Sequence, residues 1–136
     1  MAQFILEDMV RREGLEDCFY IDSAATSREE IGNGPHYGTV HKLRQVGVPM
    51  REHRAVQMTR KDYEEYDYII GMDEWNLRNM LRIVGQDTDH KLSLLLDYSN
   101  HPRDIADPWY TGNFEETYSD IIEGCTALLE KLKREL

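Results

Sequence analysis

Tyr68-Ile69-Ile70-Gly71-Met72-Asp73-Glu74-Trp75-Asn76-Leu77 is the stretch that decides the fold. Its first half is a continuous apolar run of the kind that forms a buried strand in a parallel sheet. Asp73 then has the position of a helix N-cap, and apolar residues at helical spacing follow as far as Gly85, which ends the helix. The stretch therefore predicts a buried strand that leads directly into a helix.

The rest of the chain continues this alternation. Cys18 to Ala24 and Leu92 to Leu96 are predicted strands, and Met50 to Met58 is predicted to be a loop or a short edge strand. Helical patterns cover residues 1–13, 35–46, 59–66 and 114–132, and the third of these starts with the capping-box pattern Thr59 to Asp62. Alternating strands and helices predict an α/β fold, a three-layer α/β/α domain over residues 1–136 with a small parallel sheet.

The composition excludes several classes of protein. The chain has 136 residues and a formal net charge of −10, which argues against nucleic-acid binding. No apolar run is long enough to span a membrane, and the N-terminus lacks a signal-peptide pattern. The two cysteines, Cys18 and Cys125, form no metal-binding spacing and fit a reducing cytoplasm. We therefore expect a cytoplasmic protein without a metal ion or cofactor.

Asp107-Pro108-Trp109-Tyr110 is the most informative stretch for function. Pro108 keeps the residue before it extended, and Gly112 marks a turn, so Asp107 is expected on a loop. A carboxyl group beside aromatic rings has a raised pKa and can act as a proton donor. The alternative is a turn residue followed by two rings that anchor the loop. Ser23, Asp73 and Asp107 all follow predicted strands, on the edge where parallel sheets bind ligands.

Four stretches in order resemble the low molecular weight protein tyrosine phosphatases, and the similarity covers essentially the whole chain. They are Asp22-Ser23-Ala24-Ala25-Thr26-Ser27 with the following Ile31-Gly32-Asn33, then His53-Arg54-Ala55-Val56-Gln57, then the stretch from Tyr68 to Arg78, and Asp107-Pro108-Trp109-Tyr110. In that family a cysteine thiolate in a C-x5-R-S loop attacks phosphotyrosine, and water hydrolyses the phosphocysteine intermediate.

The resemblance implies a role for each matching residue. Asp107 would be the general acid that protonates the leaving phenolate. Trp109 and Tyr110 would line the cleft for the aryl ring. Ser23 and His53 would fix the phosphate-binding loop by hydrogen bonds. The implied partner is a phosphorylated protein or another aryl phosphate.

One departure from the family is severe. The helix after the catalytic loop begins R-S-P-[MI]-A-E in the family, whereas this sequence begins Met1-Ala2-Gln3-Phe4. The first strand and the C-x5-R-S loop are missing, and neither Cys18 nor Cys125 can replace the nucleophile. Met1 aligns with an internal position, so we expect an N-terminally truncated phosphatase domain that is inactive alone.

The missing strand also affects folding, because in this family it lies in the middle of the sheet. Its loss removes on the order of ten hydrogen bonds at ~1 kcal/mol each, from a domain stabilised by only ~5–15 kcal/mol. We therefore expect a rearranged sheet or one completed by another chain, and hence a homo-oligomer. Two alternatives stay open: a non-catalytic interaction module (a pseudophosphatase), and an arsenate reductase, which needs the same missing cysteine.

Overall fold

Within the described residues, three helices precede two short parallel strands, and a helix follows each strand. The computed structural model describes residues 1–26, 37–50, 56–106 and 111–136. Its helices and strands are α1 (Ala2–Arg12), α2 (Tyr37–Gln45), α3 (Arg60–Glu65), β1 (Ile69–Gly71), α4 (Glu74–Val84), β2 (Leu92–Leu94) and α5 (Phe114–Arg134). Short 3-10 turns follow α1 and β2, at Glu16–Cys18 and Leu95–Tyr98.

β1 and β2 form a parallel pair in which Ile69 lies opposite Leu92 and Gly71 opposite Leu94. A single parallel bridge joins Ala25 to Gln57: the Ala25 N–H donates to the Val56 carbonyl at 2.7 Å, and the Ala25 carbonyl accepts from the Met58 N–H at 2.8 Å. The predicted α/β class with a small parallel sheet is therefore confirmed.

The two faces of β1 contact different parts of the protein. Ile70 packs against the core, which contains buried side chains of α1 and α5. Gly71 instead faces α4, where a Cβ on this glycine would lie 3.0 Å from Asn76 Cβ and 3.5 Å from the end of Met80. Helices thus cover β1 on both sides. The largest side chains with almost no exposure are Ile5, Val10, Leu43, Leu96 and Cys125.

Local capping residues determine where several helices begin and end. Asp73 Oδ1 accepts from the Asn76 N–H at 2.8 Å and starts α4, while Gly85 ends it with a φ of 86°. The Asp62 carboxylate accepts from the Thr59 N–H at 2.9 Å at the start of α3. The four helices predicted elsewhere and the strand before Asp73 are all present, with ends shifted by a few residues.

Two predicted strands differ from the structure. Cys18 belongs to a 3-10 turn, and residues 19–24 form no ladder among the described residues; only Ala25 makes a bridge. The predicted strand Leu92 to Leu96 ends at Leu94, because the Asp97 carboxylate accepts from the Leu94 N–H at 2.9 Å and draws the chain into a turn. Leu95 and Leu96 are buried as the apolar run implied, but in a 3-10 turn rather than a strand.

Candidate functional site

The carboxyl end of β1 is held by side chains from the first turn of α4. Asn76 Oδ1 accepts from the Met72 N–H at 2.9 Å, and the Asn76 N–H itself donates to Asp73. Asp73 lies on the predicted edge, but its carboxylate serves as the cap of α4. Its role in this structure is to hold the strand-to-helix turn.

The segment that leads to Asp107 lies at this same end of β1. The Ile105 N–H donates to the Met72 carbonyl at 2.9 Å, and Asp104 Oδ1 accepts from the Glu74 N–H at 3.2 Å. Residues 107–110, which include the predicted acid and the predicted aromatic walls Trp109 and Tyr110, lie outside the described residues. The described chain therefore reaches the carboxyl edge of the sheet at Ile105, two residues before Asp107.

Both peptide groups of Ala106 are bonded to α5. Its N–H donates to Asp120 Oδ2 at 3.1 Å, and its carbonyl accepts from Thr117 Oγ1 at 2.7 Å. Thr117 and Asp120 are buried, with 6% and 8% of their surfaces exposed. Arg103 Nη2 donates to the other oxygen of Asp120 at 2.9 Å, so both carboxylate oxygens have partners.

Arg103 also binds a second carboxylate one turn along α5. Its two terminal nitrogens each lie 3.1 Å from an oxygen of Glu123, and Nη1 donates to the His101 carbonyl at 2.8 Å. The hydrogen bonds from Arg103 hold the pKa of Glu123 below its ordinary value, although desolvation opposes this. The guanidinium fork therefore joins residues 101–103 to the middle of α5.

Ser23, the other described residue of the predicted site, is bonded to the start of α1. Its Oγ donates to Gln3 Oε1 at 2.5 Å. Gln3 is only 7% exposed, and its buried Nε2 has no hydrogen-bond partner among the described residues. Gln57, opposite Ala25, has a buried Oε1 that likewise meets no donor in the part of the chain that the structure describes. His53, predicted to act with Ser23, lies outside the described residues.

Neither cysteine lies in an anion-binding loop. Cys18 is exposed, and its N–H already donates to the Leu15 carbonyl at 2.9 Å within the 3-10 turn. Cys125 is 1% exposed within the core, and burial raises the pKa of its thiol to about 12. A buried neutral thiol is a poor nucleophile, so Cys125 contributes to packing.

A cleft of about 540 Å³ opens between α2 and the residues around the start of α5. Lys42, which is 6% exposed, lines it, forms an ion pair with Glu115, and has its Nζ 4.8 Å from the centre of the Tyr118 ring. The cleft is also lined by Gly112, two residues after the predicted acid loop. The cleft therefore has a lining residue close in sequence to the predicted site. The charge of its buried Lys42 is already neutralised by Glu115.

Two kinds of feature are absent from the described ranges. No three His, Cys, Asp or Glu side chains there are grouped so that they could hold a metal ion. No helix in those ranges combines the length and the apolar character that crossing a bilayer requires.

Sequence reasoning missed Gln3, Arg103 and Asp120. Gln3 and Asp120 are polar residues on helix faces that otherwise bury apolar side chains, and such a residue is a usable signal of a buried hydrogen bond. Arg103 gave no comparable signal, because its partners lie 17 and 20 positions away along the chain.

The fold and the edge described above define an α/β protein whose polar residues gather at the carboxyl end of a parallel sheet. The family profile for low molecular weight phosphotyrosine protein phosphatase matches residues 1–136. The chain is 37% identical to the low molecular weight protein-tyrosine-phosphatase YfkJ of Bacillus subtilis, over 99% of this chain and 88% of that protein. It is 36% identical to the human low molecular weight phosphotyrosine protein phosphatase, over 96% and 85% of the two chains.

Solved structures agree with the sequence match. The crystal structure of YfkJ superposes with a TM-score of 0.94, over 98% of this chain and 86% of that one. A Drosophila arginine phosphatase superposes with a TM-score of 0.85 at 27% identity, over 97% and 88% of the chains. The chain belongs to the low molecular weight phosphotyrosine protein phosphatase family.

Proposed function

We propose that this chain provides the scaffold and the general acid of a phosphatase that hydrolyses phosphotyrosine in proteins or other aryl phosphates in the cytoplasm. Asp107 is the acid, Trp109 and Tyr110 line the aryl cleft, and Ser23 and His53 support the phosphate-binding loop. The observation that carries the proposal is that the two residues before Asp107 are held in place: the Ile105 N–H is bonded to Met72 at the carboxyl end of β1, and Ala106 is bonded to α5.

The reaction has two steps. A cysteine thiolate forms a bond to phosphorus while the bond from phosphorus to the phenolate oxygen breaks, and Asp107 gives its proton to that oxygen. Water then hydrolyses the phosphocysteine and releases phosphate and the thiolate. Both steps require a nucleophile within a cradle of N–H groups and an arginine.

The nucleophile is not among these 136 residues. The position six residues after Cys18 is Ala24, and the position six after Cys125 is Lys131, so neither cysteine begins a C-x5-R-S loop. We therefore propose that the chain alone has no phosphatase turnover, and that it is active when the strand and loop are supplied from outside these residues.

The buried Nε2 of Gln3, which meets no acceptor among the described residues, supports this part of the proposal. A buried N–H without a partner costs about 1–3 kcal/mol, so such groups are rare in a complete structure. An acceptor on an added loop beside Ser23 would remove that cost. Without such a loop the strand edges can pair with a second copy of the chain, which gives a homo-oligomer.

The test compares two preparations with phenyl phosphate as substrate: the 136-residue chain, and the same chain joined to the strand and C-x5-R-S loop of the Bacillus subtilis relative. We expect no turnover above a mock preparation for the first and clear turnover for the second. Asp107→Asn should lower kcat of the joined protein by about 10²–10⁴-fold. Turnover by the chain alone, lost on Asp107→Asn, would contradict the proposal.

The interaction-module alternative predicts a different outcome. A joined protein that folds but does not turn over, together with a chain that binds a phosphotyrosine peptide, would favour a pseudophosphatase. Light scattering of the 136-residue chain tests the oligomer, and a monodisperse monomer would contradict that part.

A further inference from the structure

The Arg103–Asp120 pair is attached to the residue that precedes the proposed acid. Asp120 accepts from Arg103 with one oxygen, at 2.9 Å, and from the Ala106 N–H with the other, at 3.1 Å. The Asp120 carboxylate thus connects the side chain of Arg103 to the backbone of Ala106, three residues later.

The Ala106 carbonyl and the Ile105 N–H are fixed as well. Thr117 holds the Ala106 carbonyl at 2.7 Å, and the Ile105 N–H is bonded to Met72 at the end of β1. The backbone of residues 105 and 106 is therefore held by the end of a strand on one side and by a helix on the other.

The carboxylate of Asp120 is costly to bury, and this suggests a role beyond packing. A buried carboxylate costs several kcal/mol unless charged or hydrogen-bonded partners compensate. An asparagine of the same size has only one acceptor oxygen, so it could accept from the Ala106 N–H or from Arg103, but not from both. A buried ion pair is weak evidence for stability by itself, and the pair here determines a geometry.

We propose that Asp120, held by Arg103, is a positioning residue for the general acid: it sets the direction in which the backbone delivers Asp107 to the substrate. This inference rests on the proposed function of Asp107. A shift of about 1 Å in a catalytic group can cost up to 10²-fold in rate, so the loss of one fixed hydrogen bond should be measurable.

The first test uses the joined, active protein and two aryl phosphates that differ in leaving group. Proton donation matters more for phenyl phosphate than for p-nitrophenyl phosphate, because the phenolate is the more basic leaving group. We expect Asp120→Asn to lower kcat for phenyl phosphate about tenfold, to affect p-nitrophenyl phosphate less, and to leave KM nearly unchanged. The matched control is Glu123→Gln. It removes the other carboxylate that Arg103 binds, and that carboxylate makes no bond to Ala106. We expect it to leave kcat for both substrates within twofold of the parent protein.

A double variant separates positioning from a general structural effect. If Asp120 acts through Asp107, adding Asp120→Asn to Asp107→Asn lowers the rate no further. Equal losses for both substrates, or a further loss in the double variant, would overturn the proposal. Thr117→Val, which removes the bond to the Ala106 carbonyl, gives a second variant with the same expected discrimination between substrates.

A spectroscopic test does not depend on turnover. The chain has two tryptophans, so Trp75→Phe leaves Trp109 as the single fluorophore. In that background Asp120→Asn should shift the emission maximum of Trp109, and Glu123→Gln should not. If the joined protein is inactive while this shift occurs, the proposed function fails and the positioning of the loop stands. An unchanged emission would overturn the positioning role.

Discussion

Gly124 in α5 lies so close to Leu95 that a methyl group has no room there. A Cβ at this position would be 2.5 Å from Leu95 Cγ and 3.1 and 3.3 Å from its two methyl carbons. Leu95 is 2% exposed and its Cγ is a branch point, so α5 and the 3-10 turn must separate by about 1 Å to restore a normal carbon contact. Overpacking of this kind costs about 1–3 kcal/mol, whereas Gly→Ala inside a helix gains about 1 kcal/mol. We therefore expect Gly124→Ala to lower the free energy of unfolding by up to about 2 kcal/mol.

A double-mutant cycle with Leu95→Ala separates the clash from the helix propensity. Leu95→Ala alone should cost about 2–5 kcal/mol and leave space beside Gly124. In that background Gly124→Ala should instead stabilise the chain by about 1 kcal/mol, so its effect changes sign. Urea denaturation followed by circular dichroism measures both values. The same stabilisation in both backgrounds would refute the argument that this packing distance controls the outcome.

Three further predictions concern single side chains. Gln3→Met removes the hydrogen bond from Ser23, but it also removes a buried donor that has no partner among the described residues. Urea denaturation should therefore show a neutral effect or a stabilisation of about 1 kcal/mol in the 136-residue chain, and a destabilisation once the loop is joined. Burial raises the pKa of Asp87, but hydrogen bonds from a tyrosine hydroxyl and from backbone N–H groups outweigh it and lower the pKa. The stability that this carboxylate contributes is present above its unfolded pKa of about 3.9 and is lost as the pH falls through the lower folded value, so Asp87→Asn should flatten stability measured from pH 5 to 2. In native protein a thiol reagent should modify Cys18 alone, and Cys125, with its pKa of about 12, should react only in denaturant.

The helices were predictable because their signals are local. Asp73 and Gly85 lie next to the two ends of α4, and in the structure each has its predicted capping role. The strand predicted at Cys18 to Ala24 depended on a pairing partner far away in sequence, which no local pattern specifies. Leu95 and Leu96 show the same limit, since an apolar run predicts burial but not the conformation in which it is buried.

For the candidate site, too, the sequence predicted individual residues but not the contacts between distant segments. Ser23 was identified from a motif, and its hydrogen bond to the start of α1 connects two segments 20 residues apart. The bonds from Arg103 and Ala106 to Asp120 span 17 and 14 residues. They are consequences of how α5 packs against the rest of the domain, including the 3-10 turn at Leu95–Tyr98. A sequence pattern shows that Asp120 is polar on an apolar face, but it does not show which backbone group the carboxylate meets.

The attachment of Ala106 to α5 also affects how readily the Ala106 amide hydrogen exchanges with solvent. Amide hydrogens in loops ordinarily exchange with solvent through small local fluctuations, whereas those of a core helix exchange only when a larger unit opens. Because the Ala106 N–H is bonded to a buried carboxylate on α5, this amide should exchange only when that helix opens. This part of a surface loop would then have the kinetic protection of the protein interior.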